Sequence, residues 1–200
     1  MTRVGWTILA IVVLAAAAFA SMVRVGGGGA GATVAAFRSI PAMMSRKSAD
    51  LSPGLLTVPV AGMARVAIAD SWGDARAGGT RAHHGTDLIA PVGTPVVAAA
   101  PGRVEKLFHS ALGGNTLYER SPDGRWLYYY AHLAGYVPGL HEGQAVRPGE
   151  PLGYVGDTGD AGAGNYHLHF GLTRVTPDQH WWQGQDVDPF PLLAGRRGSR

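Results

Sequence analysis

The sequence contains no cysteine, and this absence removes several chemistries before any motif is considered. Disulfide bonds, thiol catalysis and cysteine-ligated zinc sites are all excluded. A transition-metal site would have to use histidine, aspartate or glutamate side chains. The chain has 8 histidines, so enough imidazoles are present for such a site.

Charged residues are also scarce, at 16% of the 200 residues, and the formal net charge is only +3. The sequence shows no basic stripe interleaved with aromatic residues, so a nucleic-acid-binding protein is not indicated. Glycine and proline are by contrast abundant, at 30 and 13 residues. This turn-rich composition is typical of β architecture, and the length fits one domain with appendages.

An apolar run, Val4–Val23, stands between Arg3 and Arg24 near the start of the chain. About 20 apolar residues suffice to span a bilayer as a helix. The run ends in small residues that are compatible with signal-peptidase cleavage. We predict a signal peptide or a transmembrane signal anchor over residues 1–25, the alternative being a buried core helix. Export would place the remainder in the periplasm or cell envelope, anchored in the inner membrane by residues 4–23 if uncleaved.

The residue composition of the sequence changes twice after this run. Four consecutive glycines open a predicted linker over residues 26–54. Short β-like runs separated by glycine and proline turns then predict a mostly β, antiparallel domain over residues 55–193, preceded by the apolar helix. Residues 194–200 are expected to form a disordered basic tail. The predicted strands are Leu55–Val60, Arg65–Ala69, Thr86–Ala90, Thr94–Ala99, Arg103–Phe108, Thr116–Glu119, Trp126–Leu133, Pro151–Val155 and His167–Val175.

Two histidines, His167 and His169, lie two residues apart inside an apolar run. In a strand they would share one face, while Leu168 and Phe170 would point into a core. Two adjacent imidazoles can bind a metal, or one can bind it while the other transfers protons. The alternative is a pair of surface histidines on a polar face.

A second cluster pairs His83 with Asp87, four residues later, across Gly85. Imidazole and carboxylate form a common partial ligand set for Zn²⁺. We expect Leu88 to face the core and Asp87 to lie beside the face of the histidine pair. A charged surface loop is the alternative interpretation.

The third cluster is the aromatic run Trp126–Leu133. A period of two places alternate residues on opposite faces of a strand. An aromatic face that ends in His132 suits a groove for a polymer, whereas a cross-strand aromatic ladder with an incidental histidine is the alternative. The two predicted faces are Trp126, Tyr128, Tyr130 and His132 on one side, and Leu127, Tyr129, Ala131 and Leu133 on the other.

Taken together, the three clusters supply a complete set for metal-assisted hydrolysis. His83, Asp87 and one of the His167/His169 pair would provide three ligands, and a catalytic zinc keeps a fourth position for water. The remaining histidine of the pair and His132 would stand beside that water to move protons. Spacing alone does not decide which member of the pair binds the metal.

Six segments, in their order and approximate spacing, also match a known family: Asp70–Arg76, His83–Val96, Ala98–Val104, Tyr130–Leu133, Gly153–Gly159 and His167–Phe170. Through them the chain resembles the lysostaphin/LytM-type peptidoglycan metallo-endopeptidases, over about residues 55–193. The resemblance implies an antiparallel β domain with a long open groove. It also implies the peptide part of peptidoglycan as the substrate.

The resemblance further divides the roles of the candidate residues. It implies that His83, Asp87 and His169 bind Zn²⁺ and that His132 and His167 are the catalytic histidines. Weaker candidates for substrate contact are Tyr130, Tyr166 and Trp182. For Trp182 there are two alternatives: it belongs to an aromatic rim that binds substrate, or it packs as a cover over the sheet.

Two departures from the family flank the site without touching its five functional positions. Ala161–Tyr166 replaces a short Thr-Gly-Pro-like element, and Gly171 stands where an acidic residue often follows the phenylalanine. Both bear on substrate preference. The competing functional hypothesis is a catalytically inactive relative that binds and regulates another cell-wall hydrolase. A biotinyl- or lipoyl-carrier barrel is disfavoured because Lys106, the one lysine of the predicted domain, lies inside a strand run.

Overall fold

Strands dominate the part of the chain that the computed structural model describes, which is residues 53–198. Eleven strands and one short α-helix are connected by turns and by three single-turn 3₁₀ helices, at Arg65–Ala67, Ala77–Gly79 and Gly159–Ala161. The strands and the helix are β1 Ala75–Arg76, β2 Arg81–Ala82, β3 Thr86–Ile89, β4 Pro95–Val97, β5 Gly102–Ser110, β6 Gly114–Arg120, β7 Trp126–Tyr136, β8 Ala145–Val146, β9 Pro151–Val155, β10 His167–Arg174, β11 Gln185–Asp186 and α1 Phe190–Ala194.

Nine of these strands form one sheet in which every pairing is antiparallel. Its main path runs β11-β10-β7-β6-β5-β8, while β3 pairs with β10 and β9 joins β4 to β7. Strands β1 and β2 make a separate hairpin. The prediction of a mostly β, antiparallel domain is confirmed.

Strand β10 lies between β3 and β7, and this arrangement positions the candidate site. His169 pairs with Asp87 of β3 on one side and with Ala131 of β7 on the other. The strand alternates as the sequence predicts, because Leu168 and Phe170 are fully buried. Burying each such side chain stabilises the fold by about 1.5–3 kcal/mol, so the core fixes which face the histidines occupy.

The hydrophobic core contains residues from each of the strands β3 to β10 and from α1. Leu88 of β3 is buried, as predicted, and the ring of Tyr130 packs edge-on against Phe170 with centroids 5.3 Å apart. A one-residue slip of β10 would expose this whole apolar set, so the register is strongly specified.

Two predicted strands near the start of the domain are wrong. Leu55–Val60 forms only one isolated bridge, from Val60 to Val96, because its backbone bonds go to different segments: Leu56 N–H donates to Leu192 and Thr57 N–H to Ala99. Pro59 in this segment has no N–H to donate.

The other, Arg65–Ala69, contains a 3₁₀ turn instead of a strand. Ile68 N–H bonds back to the carbonyl of Arg65, three residues earlier. The Arg65 guanidinium also donates to the carbonyls of Leu56 and Leu193, which ties this turn to α1. The remaining seven predicted strands are present, with ends shifted by up to three residues.

Helix α1 closes the domain at its C-terminal end. Phe190 and Leu193 are buried, and Gly195 in the left-handed region ends the helix with an N–H bond to Pro191. Beyond it, the Arg196 guanidinium donates to the carbonyl of Ile68 at 2.9 Å.

The predicted signal segment over residues 1–25 and most of the predicted linker over 26–54 lie outside the described residues. Within residues 53–198, no helix is long and apolar enough to cross a membrane.

Candidate active site

Three side chains from two neighbouring strands and the turn before them meet at one point. His83 precedes β3, Asp87 lies on β3, and His169 faces Asp87 across the β3–β10 pairing. His83 Nε2 lies 2.9 Å from His169 Nδ1 and 3.0 Å from Asp87 Oδ1, and His169 Nδ1 lies 3.1 Å from the same oxygen. Ligands of a tetrahedral zinc with bonds of about 2.0–2.1 Å stand about 3.3 Å apart, so this triangle fits the ion after a small expansion.

Hydrogen bonds behind the triangle fix His83 in the form that a metal requires. Its Nδ1 lies 2.6 Å from the carbonyl oxygen of Ser71, which can only accept a hydrogen bond. The proton must therefore sit on Nδ1, which leaves the lone pair of Nε2 directed at the other two ligands.

Asp87 is oriented by bonds at both its backbone and its carboxylate. Its N–H donates to the Ser71 hydroxyl at 3.0 Å, and the Arg76 guanidinium donates to Oδ2, leaving Oδ1 for the triangle. Burial raises the pKa of this carboxyl, but the adjacent His169 and His83 imidazoles lower it by a larger amount, so the pKa ends well below its usual range. Asp87 is therefore ionised at neutral pH.

Gly85 makes room for the third ligand. A Cβ at this position would stand 2.5 Å from Cε1 and 2.7 Å from Nε2 of His169, and 2.8 Å from the carbonyl oxygen of Phe170. No larger residue fits without displacing the His169 ring.

A second pair of histidines, His132 and His167, stands beside the triangle. Their ring centroids are 4.8 Å apart, and His167 Nε2 lies 3.9 Å from Asp87 Oδ1. Each Nδ1 lies 2.8 Å from a backbone carbonyl oxygen, that of Thr158 for His132 and that of Asn165 for His167. Both rings thus carry their proton on Nδ1 when neutral and keep Nε2 available.

Burial lowers the pKa of His132, and the neighbouring His167 and His169 lower it further. His132 is consequently neutral at neutral pH and able to accept a proton. The pKa of His169 is lowered as well, mainly by burial, although its hydrogen bond to Asp87 opposes this shift. A neutral imidazole is the form that ligates a metal.

The predicted faces of β7 are wrong at His132. This residue has φ 61°, in the left-handed region, and lies where the pairing of β7 with β6 shifts between Tyr130 and Leu133. The bulge turns His132 onto the face of Tyr129 and Ala131, and all three line the site. Tyr128 and Tyr130 point into the core instead.

Residues 81–189, more than half of the chain, match the sequence model of peptidase family M23. The chain belongs to this family. The resemblance to lysostaphin/LytM-type peptidases is thereby confirmed. An L-Ala–D-Glu endopeptidase of Bacillus subtilis is 37% identical over 129 residues, which cover 62% of this chain and 38% of that protein. The peptidoglycan DD-endopeptidase ShyC of Vibrio cholerae is 37% identical over 93 residues, or 46% of this chain and 21% of that protein.

Solved structures of M23 peptidases share the fold. The catalytic domain of lysostaphin from Staphylococcus simulans aligns with a TM-score of 0.51 at 30% identity, over 62% of this chain and 88% of that one. A putative M23 peptidase from Pseudomonas aeruginosa aligns with a TM-score of 0.53 at 28% identity, over 70% of this chain and 50% of that one. The chain spans well under half the length of the two curated relatives described above.

The M23 site opens into a cavity of about 590 Å³ that reaches both groups of histidines. The β1–β2 hairpin contributes Arg76 and Arg81 to the cavity wall, and the loop before β10 contributes Asn165. Arg81 bonds to Asp160 at 3.0 Å, across the cavity. Sequence reasoning missed both arginines as site residues.

The three predicted substrate contacts have different outcomes. Tyr130 does not reach the cavity of this M23 domain: it is completely buried, donates to Glu119 Oε2 at 2.6 Å and accepts from Ala99 N–H at 2.9 Å. Its neighbour Tyr129 lines the cavity and touches the His169 ring edge-on, at 5.8 Å between centroids. Tyr166 is partly exposed but is not among the residues that line the cavity, while Trp182 lines an adjoining one.

Proposed function

We propose that this M23 domain is a zinc-dependent endopeptidase that hydrolyses peptide bonds in peptidoglycan. One observation carries the proposal: the ligand-bearing atoms of His83, Asp87 and His169 stand about 3 Å apart at the floor of an open cavity, directly beside His132 and His167. The names of the relatives, an L-Ala–D-Glu endopeptidase and a peptidoglycan DD-endopeptidase, support the substrate class.

In this proposal His83, Asp87 and His169 hold the zinc. Two neutral imidazoles and one carboxylate are a donor set that suits Zn²⁺ and leaves one coordination position open. The ion would supply Lewis acidity toward a water molecule and toward the carbonyl of the scissile peptide. Arg76 keeps the second carboxylate oxygen of Asp87 occupied, so that Oδ1 stays directed at the ion.

His132 and His167 transfer the protons. Each has its Nδ1–H tied to a carbonyl, so only Nε2 can take part in exchange with the substrate or the water. One of them accepts the proton of the attacking water as general base. In its protonated form, a histidine of this pair then stabilises the oxyanion or donates to the leaving amine.

The alternative of a catalytically inactive relative gains no support from the site. Such a protein needs none of these side chains, whereas all five are present and converge. We also propose that the enzyme acts in the periplasm or cell envelope, held by residues 4–23 if they remain attached, because its substrate lies there and the predicted export segment would take it there.

The test is digestion of purified peptidoglycan by the full-length chain, with and without a chelator, followed by mass analysis of the products. We expect new peptide termini, their loss on chelation, and their return when one equivalent of zinc is restored. Digestion that continues at full rate without metal would contradict the proposal. The masses of the products also identify the bond that is cleaved.

A further inference from the structure

A row of aromatic rings leads away from the metal-site residues along the sheet. From His169 it passes to Tyr129 and Tyr118, and then to Trp181 and Trp182, with successive centroid distances of 5.8, 4.7, 4.7 and 5.2 Å. The two ends of the row are therefore at most about 20 Å apart, a distance that an extended peptide of about six residues covers. We call the outer part of this row, formed by Phe108, Tyr118, Trp181 and Trp182, the aromatic shelf.

Two of the four rings of the aromatic shelf are exposed to solvent, and the other two, Tyr118 and Trp181, are half-buried. Trp182 is 62% exposed and Phe108 is 40% exposed. The Trp182 indole lies flat on the His180 imidazole, at 4.3 Å and 5° between the ring planes, and meets the Trp181 ring nearly at a right angle, yet it keeps more than half of its surface exposed. Large contiguous apolar surfaces of this kind mark binding sites more often than scattered single residues do.

The loop that carries the two tryptophans, residues 175–184, is held in shape by hydrogen bonds and a ring contact of its own. Side-chain oxygens of Gln179 and Gln183 each accept the backbone N–H three residues earlier, at 2.8 Å. The Arg120 guanidinium donates to the Gln179 carbonyl at 2.9 Å. The Trp181 ring packs against the Phe108 ring, and their centroids are 5.1 Å apart. A surface arranged in advance binds with less loss of conformational entropy.

The polar groups beside the shelf indicate what kind of ligand fits. A cavity of about 360 Å³ adjoins it and shares Tyr129 and His169 with the active-site cavity. Among the described residues that line this cavity there is no lysine or arginine, and Asp186 supplies the one carboxylate. Its oxygens lie 3.0 Å from the Thr173 hydroxyl and 2.9 Å from His84 Nδ1.

This combination suits a neutral sugar. A pyranose ring presents a flat array of C–H groups that stacks on an indole, and hydroxyls that bond to carboxylate, hydroxyl and imidazole groups at the rim. A phosphate-bearing polymer or an anionic lipid surface would meet the carboxylate of Asp186, with no lysine or arginine in the cavity lining to offset it.

We infer that the aromatic shelf is a binding site for the glycan strand of peptidoglycan, with pyranose rings stacked on Trp182 and its neighbours. The inference rests on the proposed function, because the peptides of that polymer are covalently attached to its sugars. A stem peptide that enters the active-site cavity would then keep its own glycan strand within reach of the shelf. The shelf holds the strand while the histidines act on the peptide.

The test measures binding, not hydrolysis. Full-length chain is titrated, in the presence of a chelator, with glycan strands from which all peptides have been removed and whose freed lactyl carboxyl groups have been converted to amides, so that the sugars are as neutral as in the intact polymer. We expect Trp182→Ala to weaken binding about tenfold, equivalent to about 1.4 kcal/mol. Trp182→Phe, which keeps a stacking ring, should stay within about threefold of the unaltered chain. Leu55→Ala, at a 63% exposed apolar residue outside the shelf, is the matched control and should bind like the unaltered chain.

Several outcomes would overturn the inference. One is a chain that digests peptidoglycan but does not bind peptide-free glycan; another is Trp182→Ala binding glycan as well as the unaltered chain. If Trp182→Ala bound anionic phospholipid vesicles more weakly than the unaltered chain but bound glycan equally well, the shelf would be a membrane-contact surface instead. Because the titration is done without metal, glycan binding is observed even if the proposed peptidase activity fails.

Discussion

Replacing Gly85 with alanine is expected to damage the metal site far more than the fold. The new Cβ would stand 2.5 Å from Cε1 of His169, whereas non-bonded carbons rest about 3.5–4.0 Å apart. The carbonyl of Phe170, 2.8 Å away, is part of the sheet and cannot yield. The His169 ring must therefore move by about 1 Å, which exceeds the roughly 0.2 Å tolerance of a metal–ligand bond.

We expect the dissociation constant for zinc to rise about 10–100-fold in Gly85→Ala, the range found when the support of a ligand is lost. Overpacking should also lower the free energy of unfolding of the metal-free protein by about 1–3 kcal/mol. Zinc affinity is measured by competition with a chromophoric chelator at fixed pH, and stability by urea unfolding.

Gly135→Ala is the matched control. A Cβ at Gly135 would meet no atom within 4 Å, and neither glycine has a positive φ, so backbone strain does not enter the comparison. Its zinc affinity should equal that of the unaltered chain. Equal zinc affinity in Gly85→Ala and Gly135→Ala would refute the reasoning, because it would show that His169 needs no space at Gly85.

Three further predictions concern other residues of the domain. Arg76→Gln should weaken zinc binding about tenfold in the same competition assay, because Asp87 loses the donor that orients its carboxylate; unchanged affinity would count against this role. Tyr130→Phe should lower the free energy of unfolding by about 1–3 kcal/mol, since Ala99 N–H and Glu119 lose their buried partner, and an unchanged urea midpoint would argue against that network. Burial raises the pKa of Glu119 to about 8 from 4.5, the nearby Glu150 adds to the rise, and the bond from Tyr130 opposes it. The folded state thus keeps a proton that the unfolded state loses, so the free energy of unfolding should fall as pH rises from about 4.5 to 8, by about 1.4 kcal/mol per pH unit at most. Glu119→Gln should flatten this dependence in urea titrations at several pH values, and an equally steep slope in that variant would show that another group is responsible.

Local patterns predicted the central strand of the site, because its side chains obey simple alternation. Leu168 and Phe170 are buried, and His167 and His169 share the other face of the strand. A period of two is sufficient to predict this arrangement. The approach of Asp87 to His169 is a matter of pairing between distant strands. Spacing made it plausible, but the assignment of His169 as ligand and His167 as proton carrier came from family resemblance.

The errors arise where long-range contacts override local periodicity. The bulge at His132 depends on how β6 and β9 pair with β7, so alternation placed Tyr130 in the groove where the structure has Tyr129. Arg76 was not predicted as a site residue, for a different reason. A partly exposed arginine in a short hairpin looks like any solvated surface residue until its contact with Asp87 is seen.

The most direct test of the central claim is the zinc content of purified full-length variants, measured together with their digestion of peptidoglycan. We expect one zinc per chain in the unaltered protein and in His132→Asn, where asparagine tolerates the left-handed backbone, but digestion only in the unaltered protein. His83→Ala and Asp87→Ala should lose both the zinc and the digestion. Stoichiometric zinc in His83→Ala, or full digestion by His132→Asn, would contradict the account.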